Sequence, residues 1–318
     1  NTVEGLNARI AAGEFSQVVT ESEAAYSVEV EEAVRLIQGR RDELRMIFIS
    51  GPSSSGKTTT TIKVAEKLKA SGINLVTINV DNYFLNLELH PKDEFGDYDF
   101  ETPYALDIKL VNRHLQQLIH GEEVMIPFYN FKTGRRTADA TPLKLAANDL
   151  ILIDSLHGLF PPMTEGIDEG LKFKLYLEPL LQMKDMDGEY VRWTDIRLIR
   201  RMLRDAAHRA YDPRQTLEHW HYVRSSEMRS IIPHINSSDW IINSAMPYEL
   251  ALYAARMGES FSQWSNEYRD NPLKQDAFER ADRVARLLRS ITAVKDDQQV
   301  PLDSVIREFI GGSILKYQ

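Results

Sequence analysis

Cysteine is absent from the chain, which excludes disulfide bonds and any chemistry that needs a thiolate. Long hydrophobic runs are missing as well, since the marked apolar stretches at residues 46–49 and 150–153 fall far short of the roughly 18 residues that span a bilayer. Positive charge is in deficit, with 38 Lys and Arg residues against 47 Asp and Glu residues, a net charge of −9. Such a chain is a poor candidate for non-specific binding to nucleic acid or an anionic membrane. We therefore expect a cytoplasmic protein with no nucleic-acid or membrane partner.

The composition is that of a folded protein, with 43% hydrophobic and 27% charged residues among 318. Short apolar runs alternate with segments of helical periodicity, which predicts an α/β fold in which helices sandwich a parallel sheet. Strands are predicted at residues 46–50, 75–80, 149–154, 171–177 and 239–242. Helices are predicted over most of residues 1–44 and at residues 58–70, 106–119, 194–210, 277–291 and 302–310.

Residues 51–58 read Gly-Pro-Ser-Ser-Ser-Gly-Lys-Thr and fit the phosphate-loop pattern G-x-x-x-x-G-K-[ST] without deviation. Glycines let successive backbone amides face a phosphate, and the positive end of the following helix adds to the attraction. Because the motif lies between a predicted strand and a predicted helix, the sequence predicts a P-loop NTPase-type sheet that binds the phosphates of a nucleotide. The residues expected to contact the nucleotide are Gly51, Ser53, Ser54, Ser55, Gly56, Lys57, Thr58 and Thr59.

Two aspartates stand where predicted strands end. Asp154 closes the strand at residues 149–154, where a P-loop protein holds Mg²⁺ and its water shell with a carboxylate. Thr58 and Asp154 are therefore the expected metal ligands, with a turn or helix cap as the alternative for Asp154. Asp81 follows the strand at residues 75–80, and the carboxyl ends of parallel strands face one crevice. This position suits a base that takes a proton from an attacking hydroxyl.

Four arginines recur at helical spacing on one face of the predicted helix 194–210, namely Arg197, Arg200, Arg201 and Arg204. Arginines so concentrated suit a lid that closes over phosphates and stabilises the charge that develops during transfer. The alternative is a solvated basic face that pairs with acidic neighbours.

These segments together resemble the uridine kinase and phosphoribulokinase family of P-loop kinases, in order along residues 46–250. Val-Asp-Asn-Tyr-Phe at residues 80–84 resembles the strand end that carries the catalytic aspartate, which falls on Asp81. Asp-Phe-Glu-Thr-Pro at residues 99–103 resembles the acceptor segment, in which Glu101 takes the position that holds the ribose hydroxyls. Ile-Pro-Phe-Tyr-Asn-Phe at residues 126–131 is similar to the hairpin over the nucleoside, with Tyr129 against the base.

The resemblance implies a role for each matching position, and residues 194–205 are similar to the lid helix. Catalytic roles fall on Asp81, Lys57, Arg200 and Arg204. The implied substrate-binding residues are Tyr83, Phe100, Glu101, Tyr129, Arg135, Arg197 and Gln215.

Two departures from the family pattern concern metal binding and base recognition. Asp154-Ser155 stands where members usually have Glu-Gly, which keeps the charge but shortens its reach by one methylene. Gly134 stands where pyrimidine-phosphorylating members place a histidine that reads the edge of the base.

The tail, at residues 243–250 and 305–313, resembles a bacterial branch of longer nucleoside-kinase-like proteins. Those carry an N-terminal region related to threonyl-tRNA synthetase accessory domains, which this chain lacks, and a first residue of Asn1 instead of Met fits a piece of such a protein. We expect a helical connector at residues 1–44, a P-loop kinase core with hairpin and lid at residues 45–255, and a helical extension packed on the core at residues 256–318.

The resemblance implies an ATP- and Mg²⁺-dependent kinase that phosphorylates a hydroxyl of a small acceptor, with the 5′-hydroxyl of a ribonucleoside as the first candidate. Two alternatives stay open: a kinase of the same fold that acts on a non-nucleoside polyol or sugar phosphate, and a nucleotide-binding regulatory module without acceptor chemistry. ATP and the acceptor are the expected partners, and a homo-oligomer is left open.

Overall fold

A parallel sheet organises the fold of the protein, whose computed structural model describes residues 1–92, 96, 98–208 and 212–316. Five strands form this sheet in the spatial order β2-β5-β1-β6-β7, and two more form an antiparallel hairpin. In chain order the strands are β1 (Met46–Ser50), β2 (Leu75–Asn79), β3 (Val124–Asn130), β4 (Arg135–Leu143), β5 (Leu150–Ser155), β6 (Lys172–Glu178) and β7 (Trp240–Asn243).

Helices cover both faces of the sheet. They are α1 (Val3–Ala11), α2 (Phe15–Gly39), α3 (Lys57–Ala70), α4 (Ile108–Ile119), α5 (Trp193–His208), α6 (Pro213–Ser230), α7 (Glu249–Tyr268), α8 (Gln275–Ser290) and the single turn α9 (Arg307–Ile310). Local sequence fixes several of their starts: the Asp107 carboxylate accepts a hydrogen bond from the Leu110 amide at 3.1 Å, and Asp212 caps α6 ahead of Pro213.

Strand β1 is buried along its whole length and separates two hydrophobic cores. Ile47 and Ile49 lie in a core that also contains residues of α1, α2, α5, α7 and α8. Met46 and Phe48 face the opposite way, into a core shared with α4 and the start of the hairpin. A sheet covered on both faces explains why its inner strands read as continuous apolar runs, and the predicted α/β sandwich is confirmed.

The strand register brings the ends of β1, β2 and β5 to one edge of the sheet. Ile49 lies beside Asp154, and Asn79 lies on the other side of the same aspartate. Ser50, the last residue of β1, pairs with Tyr176 of β6. The segments that follow these strands therefore meet at this edge, where open α/β sheets bind their ligands.

The β3–β4 hairpin lies next to this edge and packs against α4 and the 3₁₀ helix Val80–Tyr83 that follows β2. Its register shifts between Ile126 and Phe128, around a proline that has no amide to donate. The hairpin predicted from residues 126–136 is thus present, with Asn130 paired to Arg135 across the turn.

Some predicted elements were wrong or missed. The helix predicted for residues 302–310 is helical only from Arg307 to Ile310. The Arg307 guanidinium donates to the carbonyl oxygens of Asp297 (2.7 Å) and Val300 (2.8 Å), which holds the preceding residues in an irregular loop. Helices α6 and α7 were not predicted. The last two residues of the predicted helix 194–210 lie outside the described part of the chain.

The predicted division into connector, core and extension stays a prediction. One hydrophobic core contains residues from all three parts, including Val30 of α2, Leu175 of β6 and Leu288 of α8. Among the described residues, no helix combines the length and the apolar character that a membrane crossing requires.

Candidate active site

The phosphate loop joins β1 to α3 and has a conformation that a plain turn does not need. Ser54 has a φ of 60°, in the left-handed region that residues other than glycine rarely adopt. The hydroxyls of Ser54 and Ser55 are buried and find no hydrogen-bond partner among the described residues. Strained backbone and orphaned donors are typical of a loop shaped around a ligand. They fit the phosphates of a nucleotide, which accept hydrogen bonds from such groups.

Opposite charges face each other beside this loop. The Lys57 ammonium donates to the Pro52 carbonyl oxygen at 3.2 Å; burial lowers the pKa of Lys57, and the Asp154 carboxylate opposes that change. Burial raises the pKa of Asp154 from its ordinary 3.8 to about 6, against the influence of Lys57. Asp81, exposed in the 3₁₀ helix after β2, adds a smaller repulsion that raises the Asp154 pKa further. Asp81, Asp154 and Lys57 therefore interact electrostatically at the same edge of the sheet.

The residues at this edge also fit Mg²⁺. The metal prefers oxygen ligands and is usually bound by one or two protein side chains together with phosphate oxygens and water. The Thr58 hydroxyl at the start of α3 and the Asp154 carboxylate at the end of β5 offer that donor set.

Two of the predicted lid arginines are buried under the phosphate loop. Arg197 is fully buried, pairs with Glu227 at 2.6 Å and donates to the Ser53 carbonyl oxygen at 3.1 Å. Arg200 is also fully buried and forms two hydrogen bonds to Glu249, at 2.7 and 2.9 Å.

Arg200 also reaches the carbonyl oxygens of Ser244 and Ser55, at 2.8 and 3.4 Å. These contacts differ from the expectation that Arg197 binds substrate and that Arg200 contacts the transferring phosphate. Enclosed and paired in this way, the two guanidinium groups hold the backbone of the loop.

Arg201 lies on the more open side of α5 and connects the loop with the acceptor segment. Its guanidinium donates to the Glu101 carboxylate at 3.0 Å and to the Ser53 hydroxyl at 3.3 Å. The Glu101 carbonyl oxygen accepts a hydrogen bond from the Ser226 hydroxyl at 2.7 Å, which fixes the same segment to α6. Sequence reasoning named Arg201 among the four arginines but gave it no role.

Arg204 is partly buried, pairs with Asp205 at 3.2 Å and is close enough to Lys57 to lower its pKa. The site thus contains two partly buried arginines, Arg201 next to Glu101 and Arg204 near Lys57 of the phosphate loop.

An aromatic cluster includes Phe100 of the predicted acceptor segment and Tyr129 of the hairpin. Phe84 is central and contacts Tyr129, Phe131, Phe100 and His90, with ring centroids 5.5 to 6.1 Å apart. Tyr129 is only 4% exposed, whereas Phe100 is 43% exposed and Phe131 63% exposed. Phe100 and Tyr129 thus belong to one cluster, and Phe100 is more accessible than Tyr129.

Other predicted acceptor residues lie at different depths. Tyr83 is 1% exposed and its hydroxyl bonds the His114 ring at 3.0 Å, so this side chain belongs to the core beneath the site. Burial raises its pKa well above the ordinary value. Arg135 is exposed on β4, and Gln215 is exposed in the first turn of α6.

Gly134 has a structural reason to be glycine. Its φ is +66°, and a Cβ built there would meet the Leu87 Cβ at 2.8 Å. The Leu87 amide also donates to the Gly134 carbonyl oxygen at 2.8 Å. A histidine at this position would therefore be both strained and obstructed, because Leu87 fills the space of its side chain.

A different histidine lies in the same cluster, and sequence reasoning missed it. His90 stacks on Phe84 at 5.5 Å and bonds the Leu85 carbonyl oxygen through Nε2 at 2.8 Å. A carbonyl only accepts, so Nε2 carries the proton, and in the neutral ring Nδ1 is an acceptor. This Nδ1 is buried and has no hydrogen-bond partner among the described residues. No local sequence pattern marks His90 as a site residue.

Comparisons with known proteins identify the family of the chain. The profile of the phosphoribulokinase / uridine kinase family matches residues 46–250, which is more than half of the chain. The chain belongs to the phosphoribulokinase / uridine kinase family. Membership of this kinase family implies ATP and a small acceptor as its partners.

Two curated relatives are both named uridine kinase. The one from Deinococcus deserti is 28% identical over 62% of this chain and 86% of its own length, and the one from Bacillus pumilus is 30% identical over 62% and 85%. A solved structure described as a possible uridine kinase from Bacillus stearothermophilus shares 19% identity, with a TM-score of 0.40 over 47% of this chain and 79% of that one.

The raised pKa of Asp154 predicts a pH-dependent effect on stability. A carboxyl whose folded pKa is about 6 and whose ordinary value is 3.8 favours folding below pH 4 and loses that contribution as the pH rises through 6. Asp154→Asn should therefore raise the free energy of unfolding at pH 8 by up to about 2 kcal/mol and change it little near pH 4. Urea unfolding at both pH values measures this, with Asp187→Asn in an exposed turn as the control. An equal effect of Asp154→Asn at both pH values would contradict it.

The buried pair of Arg200 and Glu249 predicts a large loss of stability when one partner is neutralised. Glu249→Gln leaves a buried guanidinium without its counter-charge, which should cost about 3–5 kcal/mol in urea unfolding. Glu32→Gln, which breaks the exposed pair with Arg35, is the control and should cost less than about 1 kcal/mol. Similar costs for the two variants would show that the buried pair does not hold the loop.

Proposed function

We propose that the protein is an ATP- and Mg²⁺-dependent kinase that transfers the γ-phosphoryl group to the 5′-hydroxyl of a ribonucleoside. The observation that carries this proposal is an exposed aspartate, Asp81, close enough to Asp154 to raise its pKa, at the edge of the sheet where Arg201 joins Glu101 to Ser53 of the phosphate loop. Phosphoryl transfer needs positioning and electrostatic stabilisation, and each can be assigned to residues of this edge.

The phosphate side uses the loop and its neighbours. Loop amides and Lys57 hold the nucleotide phosphates, and Arg204 adds positive charge where charge spreads during transfer. Thr58 and Asp154 would hold Mg²⁺, which would supply positive charge against the charge of the phosphates. Arg197 and Arg200 do not contact the phosphates; they position the loop by donating hydrogen bonds to its carbonyl oxygens.

The acceptor side orients the hydroxyl and takes its proton. Asp81 accepts the proton as the hydroxyl oxygen bonds to the γ-phosphorus; the bond from that phosphorus to the bridging oxygen breaks, and ADP leaves. Glu101 holds the vicinal hydroxyls of the sugar, and Phe100 with the neighbouring rings stacks against the base. The His90 Nδ1 acceptor suits a donor on the base edge, such as the ring N–H of uridine or the amino group of cytidine.

A second acceptor class is a polyol or sugar phosphate. It is favoured by the absence of a side chain at Gly134 and by the burial of Tyr129, since both reduce what the site offers to a base. The regulatory alternative lacks such support, because a nucleotide sensor needs neither Asp81 nor Glu101.

Substitutions of Lys57 and of Asp81 should affect ATP binding and kcat differently. Lys57→Ala should weaken ATP binding and lower kcat together, because the ammonium contacts the phosphates in both states. Asp81→Asn should leave ATP binding nearly intact and lower kcat by about 10²-fold or more, the usual scale of general-base catalysis. Lys67→Ala, on the exposed part of the same helix, is the control and should change neither. Near wild-type turnover of Asp81→Asn would refute its assignment as the base.

The acceptor site predicts a requirement for a cis-diol and little preference among pyrimidines. In measurements of kcat/KM, 2′-deoxyuridine should fall about 10- to 100-fold below uridine, since charged hydrogen bonds to the diol are lost. Glu101→Ala should remove most of that difference. Uridine and cytidine should be used with similar efficiency, because both offer a donor to His90. An exclusive preference for uridine would contradict this account, and activity on polyols alone would favour the second acceptor class.

A further inference from the structure

The C-terminal segment contacts the start of α3 through Glu308. One oxygen of its carboxylate, Oε2, accepts hydrogen bonds from the Thr59 amide at 3.1 Å and from the Thr59 hydroxyl at 2.8 Å. Glu308 is 7% exposed and Thr59 is fully buried. The two residues are 249 positions apart in the sequence, so the fold brings them together.

These two donors are of the kind that a nucleotide uses. In a phosphate loop, the amides at the start of the following helix point at the phosphates, and the positive end of the helix attracts their charge. A carboxylate oxygen is an anionic acceptor that bonds such donors in the same way. Gly56, at the N-cap of α3, has no side chain that could satisfy the Thr59 amide, so an acceptor must come from elsewhere.

The rest of the segment is built to hold Glu308 in place. Val305 packs so closely on the loop that a Cβ added at Gly56, where φ is +94°, would lie 2.4 Å from its Cγ2. The Phe309 ring lies under the Arg200 guanidinium, 5.0 Å from its carbon. Arg307 donates to the carbonyl oxygens of Asp297 and Val300 and ties the segment to the chain before it. Each neighbour of Glu308 thus contacts either the loop or the structure that supports it.

Glu308 also shares the electrostatic environment of the phosphate site. Burial raises the pKa of Asp154, and the Glu308 charge adds to that rise. The same charge acts on Lys57 in the opposite direction to burial, which lowers the lysine pKa. A carboxylate so close to these groups repels the phosphates that the loop would bind.

We propose that Glu308 is a built-in competitor for the phosphate-binding donors of Thr59. For a nucleotide to use these donors, its phosphate must displace the Glu308 carboxylate, so nucleotide binding and docking of residues 304–310 oppose each other. The inference rests on the proposed binding of a nucleotide by the loop. Because such coupling is reciprocal, a bound nucleotide loosens the segment, and a loosened segment favours the nucleotide.

The experiment compares ADP and ATP affinity, by calorimetry without acceptor, in the whole chain and in Glu308→Gln. Glutamine keeps the shape of the side chain and removes its charge. Because a charged hydrogen bond gives way to a neutral one, Glu308→Gln should lower the Kd by about tenfold or more. Asp303→Asn is the matched control, since Asp303 directly precedes this segment and pairs with Lys63 of the same helix at 2.9 Å. Its Kd should change by less than about threefold.

A second measurement does not depend on a variant. Amide hydrogen exchange of residues 304–310 in the wild-type chain should become faster when ADP is added. A Kd unchanged or raised by Glu308→Gln, an equal gain in Asp303→Asn, or slower exchange with ADP would overturn the proposal. Absence of nucleotide binding in every variant, wild type included, would instead refute the proposed function on which it rests.

Discussion

The structure depends on a pair of charges that water does not reach. The Arg200 guanidinium is enclosed by the Glu249 carboxylate and by the carbonyl oxygens of Ser244 and Ser55, so one side chain joins α5, α7, the end of β7 and the phosphate loop. A buried charge is tolerated only when its donors are satisfied, and this requirement leaves α5 little freedom to rotate. Its fixed orientation in turn presents Arg201 and Arg204 to the open side of the site.

The same edge of the sheet contains buried charges that lower the stability of the folded chain. Burial disfavours both the ammonium of Lys57 and the carboxylate of Asp154, and each compensates the other in part. The orphaned hydroxyls of Ser54 and Ser55 add to that cost. The phosphates of a nucleotide would satisfy such groups, so the site is of the kind that exchanges stability for binding. At Thr59, the Glu308 carboxylate already accepts hydrogen bonds from the amide and the hydroxyl.

The sequence predicted those parts of the site that a contiguous motif encodes. The strand, loop and helix from Met46 to Ala70 and the position of Asp154 follow from local pattern alone. Helical spacing placed the arginines on one helix but left its rotation open, since Glu227 and Glu249, which orient Arg197 and Arg200, are distant in the sequence. Helix α7 was not predicted; its residues from Leu250 to Tyr253 are all buried, and a short continuous apolar run does not distinguish a buried helix from a buried strand. No local pattern connects Glu308 with Thr59, so that contact required the fold.

We propose that this edge of the sheet transfers a phosphoryl group to a ribonucleoside hydroxyl. The most direct test incubates the chain with ATP, Mg²⁺ and an equimolar mixture of ribonucleosides, polyols and sugar phosphates, and identifies by mass spectrometry which compound gains a phosphoryl group. The account predicts a nucleoside 5′-monophosphate, formed in step with ADP and only when Mg²⁺ is present. ADP release that no compound raises above its basal rate, or a phosphorylated polyol with every nucleoside unchanged, would contradict it.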